Sequence, residues 1–292
     1  MVIILSISAA LFFGFSDFMI RVGLRYSNAR SAVIFSTISG LIVPVVIGIF
    51  SLSWQILNLW GVVYFALAGV TGAFMARYLL YVGMEKVGVS IATSLANTRP
   101  LFGSLIAVMM LGEKLTLSIA GATLLIIAGA IAISWDKSGG HVEKNWSHRD
   151  LIFPLLAGFS YGLAYVMRKL GVNLIPHPVM GVLIQNTAAL VCFLLSAPLE
   201  KNHQRVDWNN ARAWLPYGIS GLLAFFANYF TFSALNLGQV VIVAPLVSLN
   251  PLFTLALMWL FLRKLERVTG KIVLGAFFII CGAAILSLAS YR

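Results

Sequence analysis

Charged residues are scarce in this chain of 292 residues: only 10% are Asp, Glu, Lys or Arg, whereas 60% are hydrophobic. Soluble globular proteins average about 25% charged residues, so the composition excludes an ordinary soluble domain and predicts an integral membrane protein. The net charge of +11 would suggest nucleic acid as a partner of a soluble protein. Here most Lys and Arg lie in short loops between apolar segments, as is usual in membranes. We therefore expect contact with a lipid bilayer and no nucleic acid.

The residues that bind metals or carry out hydrolysis are also few. Two cysteines, Cys192 and Cys281, lie in separate apolar segments, so neither a disulfide framework nor a metal site is predicted. The four histidines lie in loops without zincin spacing. The chain has no Gly-x-Ser-x-Gly elbow and no phosphate-binding loop. We expect no catalytic residues, no enzymatic activity and no cofactor, and transport driven by gradients rather than by ATP.

Long apolar segments fill the sequence. Each has 18 or more mostly apolar residues, enough for a helix to cross the hydrocarbon core. The first lacks the basic start and cleavage site of a signal peptide and contains Asp17, so we interpret it as a membrane span. The sequence thus predicts an all-α polytopic membrane protein with ten transmembrane helices. The segments are 2–22, 31–50, 58–84, 90–111, 116–135, 151–171, 178–199, 213–236, 240–262 and 268–290.

The two halves of the chain repeat each other. Residues 1–135 and 151–292 each hold five spans, and the polar segment 136–150 is the linker between them. An odd number of spans per repeat places the second copy upside down, which is the inverted-repeat design of many secondary transporters. The aligned pairs are Gly14 with Gly162, Met19 with Met167, Gly23 with Gly171, Tyr78 with Tyr229, Pro100 with Pro251, Thr116 with Thr269 and Gly129 with Gly282.

Short motifs in this repeat resemble a known family. They are Phe13-Gly14 in the first span, a proline in the middle of spans four and nine, and Leu111-Gly112-Glu113 before span five. Together they resemble the drug/metabolite transporter superfamily, EamA type, over nearly the whole chain. The resemblance implies a ten-helix bundle with a cavity between the halves, and substrates among amino acids, other small metabolites and drugs. The second copy departs from the pattern because Lys264-Leu265-Glu266 replaces Leu-Gly-Glu.

The loop charges predict an orientation. Loops after odd-numbered spans carry fourteen Lys and Arg, and the opposite face carries four, among which we count Arg168 and Lys169. Because positive loops stay inside, this asymmetry predicts that both termini lie outside. The family resemblance implies that both lie inside. For either orientation we expect a multi-pass protein of a bacterial or archaeal inner membrane.

Three charged residues inside the spans are the leading candidates for a substrate site. Taking 1.5 Å per residue, Asp17, Arg77 and Arg99 lie roughly 9, 10 and 15 Å from the same face. Charges in a membrane are tolerated where they face the interior of a bundle and pair, so an ion pair of Asp17 with either arginine is expected. One positive charge then stays unmatched, and a guanidinium binds carboxylate or phosphate in a bidentate manner. Pairing within the protein only, and snorkelling of Arg77 to the headgroups, are the structural alternatives.

The second half has neutral residues at the equivalent positions: Asn250 for Arg99, Asn228 for Arg77 and Tyr165 for Asp17. We therefore predict that half one supplies charge and half two neutral hydrogen bonds. Tyr81, one turn after Arg77, is expected beside it.

Two prolines and two carboxylates complete the candidates. Pro100 and Pro251 predict mid-helix kinks, where freed carbonyls need partners. Glu113 and Glu266 are interpreted as solvated loop charges near helix starts. Asp17 is the candidate for proton coupling, because a buried carboxylate can bind a proton near neutral pH. Further candidates for the cavity wall are Tyr161, Tyr229, Gln185 and Asn186.

These residues favour a secondary transporter that moves a small polar metabolite, anionic or zwitterionic and of the amino-acid type, by alternating access. The alternative is an exporter of drugs or cationic compounds, which would bind aromatic residues and Asp17. A channel, a non-transporting scaffold and a membrane enzyme are more remote alternatives. A homodimer through a glycine-rich helix face is compatible with the sequence.

Overall fold

The computed structural model describes residues 1–51, 58–87, 89–136, 147–196, 210–261 and 270–289. Throughout these ranges the secondary structure is helical, without a strand. The helices are α1 Val2–Gly23, α2 Ala29–Ser51, α3 Leu59–Ala68, a π-helix Gly69–Met75, α4 Ala76–Val87, α5 Val89–Ala96, α6 Arg99–Leu111, α7 Leu117–Asp136, a 3-10 helix His148–Leu151, α8 Ile152–Leu174, α9 Pro178–Ser196, α10 Ala211–Leu237, α11 Val240–Val247, α12 Asn250–Phe261 and α13 Gly270–Ala289.

The helices are those of a multi-pass membrane protein. Within the described residues, eight helical stretches are long and apolar enough to cross a bilayer. Two of these stretches, Ile91–Leu111 and Val240–Phe261, each combine two shorter helices. Two further apolar helices, Leu117–Ile133 and Val273–Ala289, are shorter. The structure therefore confirms the all-helical class and the membrane-spanning character.

The fourth and ninth predicted spans are interrupted, which differs from the kinks expected at their prolines. α5 ends at Ala96 and α6 begins at Arg99, so Pro100 is the second residue of a new helix. Pro251 is likewise the second residue of α12. A proline lacks the backbone N–H, and the first turn of a helix has no intrahelical acceptor for that group, so the position costs nothing. The prolines start helices here instead of bending them.

Both halves use the same packing arrangement. α1 contacts α10 and α12, and α8, its counterpart in the second half, contacts α3, α4 and α6. Small residues allow these approaches. A Cβ on Gly14 would lie 2.6 Å from the Cβ of Phe253 in α12. A Cβ on the equivalent Gly162 would lie 2.6 Å from the backbone nitrogen of Gly103 in α6. The paired glycines therefore set α1 and α8 against the broken spans of the opposite halves.

α7 and α13 pack closely against each other at one side of the bundle. Their backbones meet at three glycines. A Cβ on Gly275 would lie 2.7 Å from the carbonyl oxygen of Gly129, and one on Gly282 would lie 2.7 Å from that of Ala122. Glycine permits a backbone approach that any larger side chain would prevent. These two helices therefore form a tight seam between the halves.

The prediction that Glu113 is a solvated loop charge is wrong. Its side chain is only 8% exposed, and its two carboxylate oxygens each accept a backbone hydrogen bond of 2.9 Å, from Val240 and Val241. Those N–H groups belong to the first turn of α11, where a helix leaves donors without partners and favours negative charge. Gly112 makes the geometry possible, because it ends α6 in the left-handed region at φ 66°. Glu113 thus joins half one to the start of α11 in half two.

Several predicted features lie outside the described part of the chain. They are most of the linker, residues 137–146, and the Lys264-Leu265-Glu266 segment of the second copy. Tyr81 lies in α4, but its side chain is also outside the described part.

Candidate functional site

A chain of hydrogen bonds joins the two halves at the interrupted spans. Nη2 of Arg99 donates to Oδ1 of Asn250 at 2.6 Å, and Nδ2 of Asn250 donates to Oδ2 of Asp17 at 2.9 Å. Asn250 therefore lies between the two charged residues that we expected to pair directly. Its amide supplies an acceptor to the cation and a donor to the anion at once. The interaction of Asp17 with Arg99 is consequently mediated by Asn250.

The guanidinium of Arg99 is held from several sides. Nε of Arg99 also donates to Oγ of Ser248 at 3.3 Å, in the link between α11 and α12. The ring of Tyr161 on α8 lies beneath the guanidinium, with 5.8 Å between the ring centroid and Cζ. Arg99 comes from half one and all three contacts come from half two. The arginine at the break of one repeat is thus held by the break of the other.

The interruption of each span explains why these side chains can meet. α6 begins at Arg99 and α12 begins at Asn250, so the two helix N-termini lie at opposite ends of one hydrogen bond. A helix N-terminus carries about half a positive charge. Together with the guanidinium, the two N-termini make this point of the bundle electropositive.

Arg77 lies near the same cluster without a hydrogen bond to another described residue. It interacts electrostatically with Asp17, Tyr161 and Arg168. The π-helix Gly69–Met75 ends just before it. π-helical turns are rare in proteins, and those that occur are often found at functional sites. The extra residue changes the direction of the side chains that follow.

A buried arginine of half two, Arg168, also has a chain of hydrogen bonds. Arg168 on α8 is only 8% exposed, and its Nε donates to Oε1 of Gln185 at 2.7 Å. Nε2 of Gln185 donates in turn to Oδ1 of Asn228 at 3.3 Å, and Asn228 is itself anchored to the carbonyl of Ala224. Asn228 therefore supports Gln185, and through it Arg168.

Two aromatic rings complete the surroundings of Arg168. Its Cζ lies 5.3 Å from the ring centroid of Tyr165 and 5.6 Å from that of Phe232. A guanidinium within about 6 Å of a ring is attracted to the ring face. Tyr165, predicted as the counterpart of Asp17, is 5% exposed and acts here as a platform for the cation.

The position of Arg168 corrects two predictions. It was counted among the loop charges, yet it is buried six residues before the end of α8 at Leu174. Half two also supplies a charge of its own, so the division into a charged and a neutral half is wrong. A signal was present in the sequence. Tyr161, Tyr165 and Arg168 follow the spacing i, i+4, i+7, which places them on one face of a helix.

The exposed fraction of the side chains indicates an accessible space at the cluster. Asp17 is exposed, and Arg77, Arg99 and Tyr161 are half-buried, although their neighbours Asn250 and Ser248 are buried. Asp17 also interacts electrostatically with Arg99, Arg21 and Arg77. These charged side chains are therefore accessible to a solute although buried residues of several helices surround them. Such a site can bind a polar solute but, within the described residues, holds no group of His, Cys, Asp and Glu suited to a metal ion.

A family model matches most of this chain. The EamA-like transporter family matches residues 1–135 and 149–288. These are the two halves described above.

Two individual proteins are also similar. An undecaprenyl-diphosphatase from Oceanobacillus iheyensis is 30% identical over 139 residues, which is 44% of this chain. The chain spans about half the length of that relative, 48%. A solved structure, described only as the crystal structure of a protein, has a TM-score of 0.78 and 15% identity. The match covers 100% of this chain and 98% of the other, and at this identity it shows the fold alone.

Proposed function

We propose a carrier for small anionic or zwitterionic metabolites, and the premise is that this chain belongs to the EamA-like transporter family. At the level of the family it is a transmembrane transporter and not an enzyme. Its substrate is a polar molecule of the amino-acid or organic-acid type. Arg99 anchors the negative group of that substrate, and Arg77 and Asp17 lie beside it in the same accessible space.

The carrier we propose has ten transmembrane helices in two inverted repeats of five, and it works by alternating access in a bacterial or archaeal inner membrane. The matching contacts of α1 and α8 with the opposite halves support the repeat. So do the spans broken at equivalent positions, Arg99-Pro100 and Asn250-Pro251. Transporters of this design bind their substrate at the repeat interface, often at discontinuous helices.

The choice of an anion rests on one observation, the Arg99–Asn250–Asp17 chain at two helix N-termini. By insertion scales an arginine in a membrane span costs about 2.5 to 3.5 kcal/mol, so an arginine without a direct carboxylate partner calls for a functional role. Arg99 is held by neutral groups on its Nε and Nη2 atoms. A guanidinium fixed at one edge can bind a carboxylate with the other.

Asp17 has a different proposed role. It is the one described carboxylate in the accessible space, and Asn250 connects it to the substrate anchor. We assign it to proton coupling, with the proton bound and released as the substrate exchanges. Tyr81 is proposed for the cavity wall from its sequence position alone.

A drug or cation exporter is the alternative, and the cluster disfavours it. A cation would enter a space in which Asp17 is the one described carboxylate, close to the guanidiniums of Arg99, Arg21 and Arg77. Like charges in a region of low dielectric repel strongly, so a cation would have to displace or neutralise them.

The test is uptake of labelled amino acids and organic anions into proteoliposomes of the purified chain, with and without a pH gradient. Saturable uptake of an anion or zwitterion is expected, and Arg99→Ala should reduce it about 10- to 100-fold through loss of a charge-assisted hydrogen bond. Arg149→Ala, at an arginine outside the cluster, is the matched control and should leave uptake unchanged. Uptake of cationic drugs that persists in Arg99→Ala, without anion uptake by the wild type, would establish the alternative.

A further inference from the structure

The cluster contains more positive charge than one carboxylate can balance. The phenol of Tyr161 interacts electrostatically with Arg77, Arg99, Arg168 and Asp17, so these four charged groups all lie in its neighbourhood. Three of them are positive and one is negative. Among the side chains that the structure describes, no second carboxylate joins them; Glu113 is engaged with the first turn of α11. Two of these positive charges therefore have no counter-charge among the described side chains of the cluster.

Arg168 is positioned as an anchor with free donors. Its Nε is occupied by Gln185 at 2.7 Å. Its Nη2 lies beside the π-helix at Gly72, where an added Cβ would be in van der Waals contact with it at 3.8 Å. A guanidinium has five N–H donors in a fixed fork. One edge is thus held by the protein, and the outer nitrogens have no hydrogen-bond partner among the described residues.

The arrangement repeats that of Arg99. Each arginine is fixed through Nε to a neutral, buried side chain, Gln185 for Arg168 and Ser248 for Arg99. Arg168 belongs to half two and extends towards Gly72 of half one, whereas Arg99 belongs to half one and binds half two. The protein therefore presents two pre-organised cationic anchors, one from each half, and both interact electrostatically with Tyr161.

We propose that the substrate carries two negative charges, of which Arg99 binds one and Arg168 the other. This inference rests on the carrier function proposed above and names its substrate class. The two charges are either two carboxylates or one phosphate monoester, which carries close to two charges at neutral pH. A substrate with a single negative group leaves Arg168 buried without a counter-charge, which is costly. A dianion satisfies both anchors and brings the cluster, including Arg77 and Asp17, to neutrality.

The test compares probes of equal shape and different charge on the purified full-length chain in detergent. Succinate is paired with succinamate, in which one carboxylate is an amide. Glycerol 3-phosphate is paired with its methyl ester, which keeps one charge. Kd values are measured by calorimetry at pH 7.5. We expect the dianion of at least one pair to bind about 10- to 100-fold more tightly, the range of one charge-assisted hydrogen bond. The pair that responds tells whether the charges lie on two groups or one.

Two variants connect this selectivity to Arg168. Arg168→Gln should bring the Kd of the dianion to that of its singly charged partner, without weakening the latter. Gln185→Glu should also bring the two Kd values together, because a carboxylate bonded to the Nε of Arg168 neutralises the guanidinium. Lys169→Gln is the matched control. Lys169 is next to Arg168 but donates to the carbonyl of Leu235 at 2.6 Å, so its loss should leave the ratio unchanged.

Each result decides between the proposals. If wild-type protein binds both members of each pair equally, and Arg99→Ala abolishes that binding, the dianion inference is overturned and the anion carrier stands. If no anion binds at all, both are overturned. If Arg168→Gln aggregates in size-exclusion chromatography, the Kd ratio of Gln185→Glu decides the question. Glu has almost the same shape as Gln, so this variant is expected to fold. An unchanged ratio in folded Gln185→Glu excludes Arg168 as the second anchor.

Discussion

Glu113 connects the two halves of the molecule through one side chain. The motif Leu111-Gly112-Glu113 predicts a turn, and the structure shows what Gly112 and Glu113 contribute to it. Gly112 turns the backbone into the left-handed region, and Glu113 can then accept two hydrogen bonds from the start of α11. A carboxylate at a helix N-terminus is stabilising because it satisfies orphan donors and opposes the helix dipole.

Replacing Glu113 by Gln tests this role. Gln keeps one acceptor oxygen but turns an NH₂ group towards the second backbone N–H, so we expect a loss of about 1.5 to 3 kcal/mol of stability. The measurement is thermal unfolding of the detergent-purified protein. Lys114→Gln, at the exposed next position, is the control and should shift the midpoint little. Equal midpoints for the two variants would contradict the assigned role.

The sequence located part of the site at the level of residues. Arg99, Asn250 and Asp17 were predicted from their depth and repeat positions, because ionisable residues inside apolar spans stand out. Arg168 was missed because it lies three residues before the end of a predicted span, where a long side chain can equally reach the headgroups. Only the helix that continues to Leu174, and the partner Gln185, decide that it is buried.

At the scale of helices, periodicity and length predicted where apolar segments lie but not where they break. A proline in an apolar segment is equally compatible with a kink and with the start of a new helix. At one break the backbone N–H of Asn97 donates to the carbonyl of Thr93 at 3.0 Å, and that of Leu101 donates to the carbonyl of Thr98 at 2.9 Å on the other side. The side chain of Arg99 then bonds to Ser248 and Asn250 in the other half. Such contacts between distant segments cannot be derived from composition or periodicity.

The seam between α7 and α13 gives a prediction at the same scale. A Cβ on Gly129 would lie 2.7 Å from Cγ1 and 3.0 Å from the backbone nitrogen of Ile279, so Gly129→Val should force the helices apart. We expect a destabilisation of about 1 to 3 kcal/mol, the usual cost of overpacking. Gly121→Val on the same helix, with nothing within 4 Å, is the control because it changes helix propensity equally.

The readout for the seam is the thermal midpoint in detergent together with the elution volume. A lower midpoint for Gly129→Val alone, at unchanged elution volume, is the expected result. A variant pair with the same midpoint would show that the two backbones have room to separate.

For the whole molecule, the repeat and the family were predictable because they depend on many weak matches in order. The orientation in the membrane is a separate prediction. Removing the buried Arg168 from the loop count leaves three positive residues on the face of the termini against fourteen on the other. We expect the face with more Lys and Arg residues to lie inside and both termini to lie outside.

Cysteine labelling in intact cells measures this orientation. In a chain with Cys192→Ser and Cys281→Ser, Tyr26→Cys and Leu115→Cys report on opposite faces, and both positions are exposed, at 44% and 41%. An impermeant maleimide should react with the cysteine at 115 directly and with that at 26 only after permeabilisation. The reverse pattern would place both termini inside, as the family resemblance implies.

The unequal chemistry of the two repeats has a consequence for the equilibrium between the inward-facing and outward-facing forms of the proposed carrier. In an inverted repeat with identical halves, the inward-facing and outward-facing forms are related by symmetry and are degenerate in free energy. Arg99 opposite Asn250 and Asp17 opposite Tyr165 remove that degeneracy, because charge moves to a different depth in the two forms. A gap of about 1.4 kcal/mol already sets a tenfold population ratio. For the alternating-access carrier that we propose, the form without substrate would then face mostly one side of the membrane, and the substrate would bind with different affinities from the two compartments.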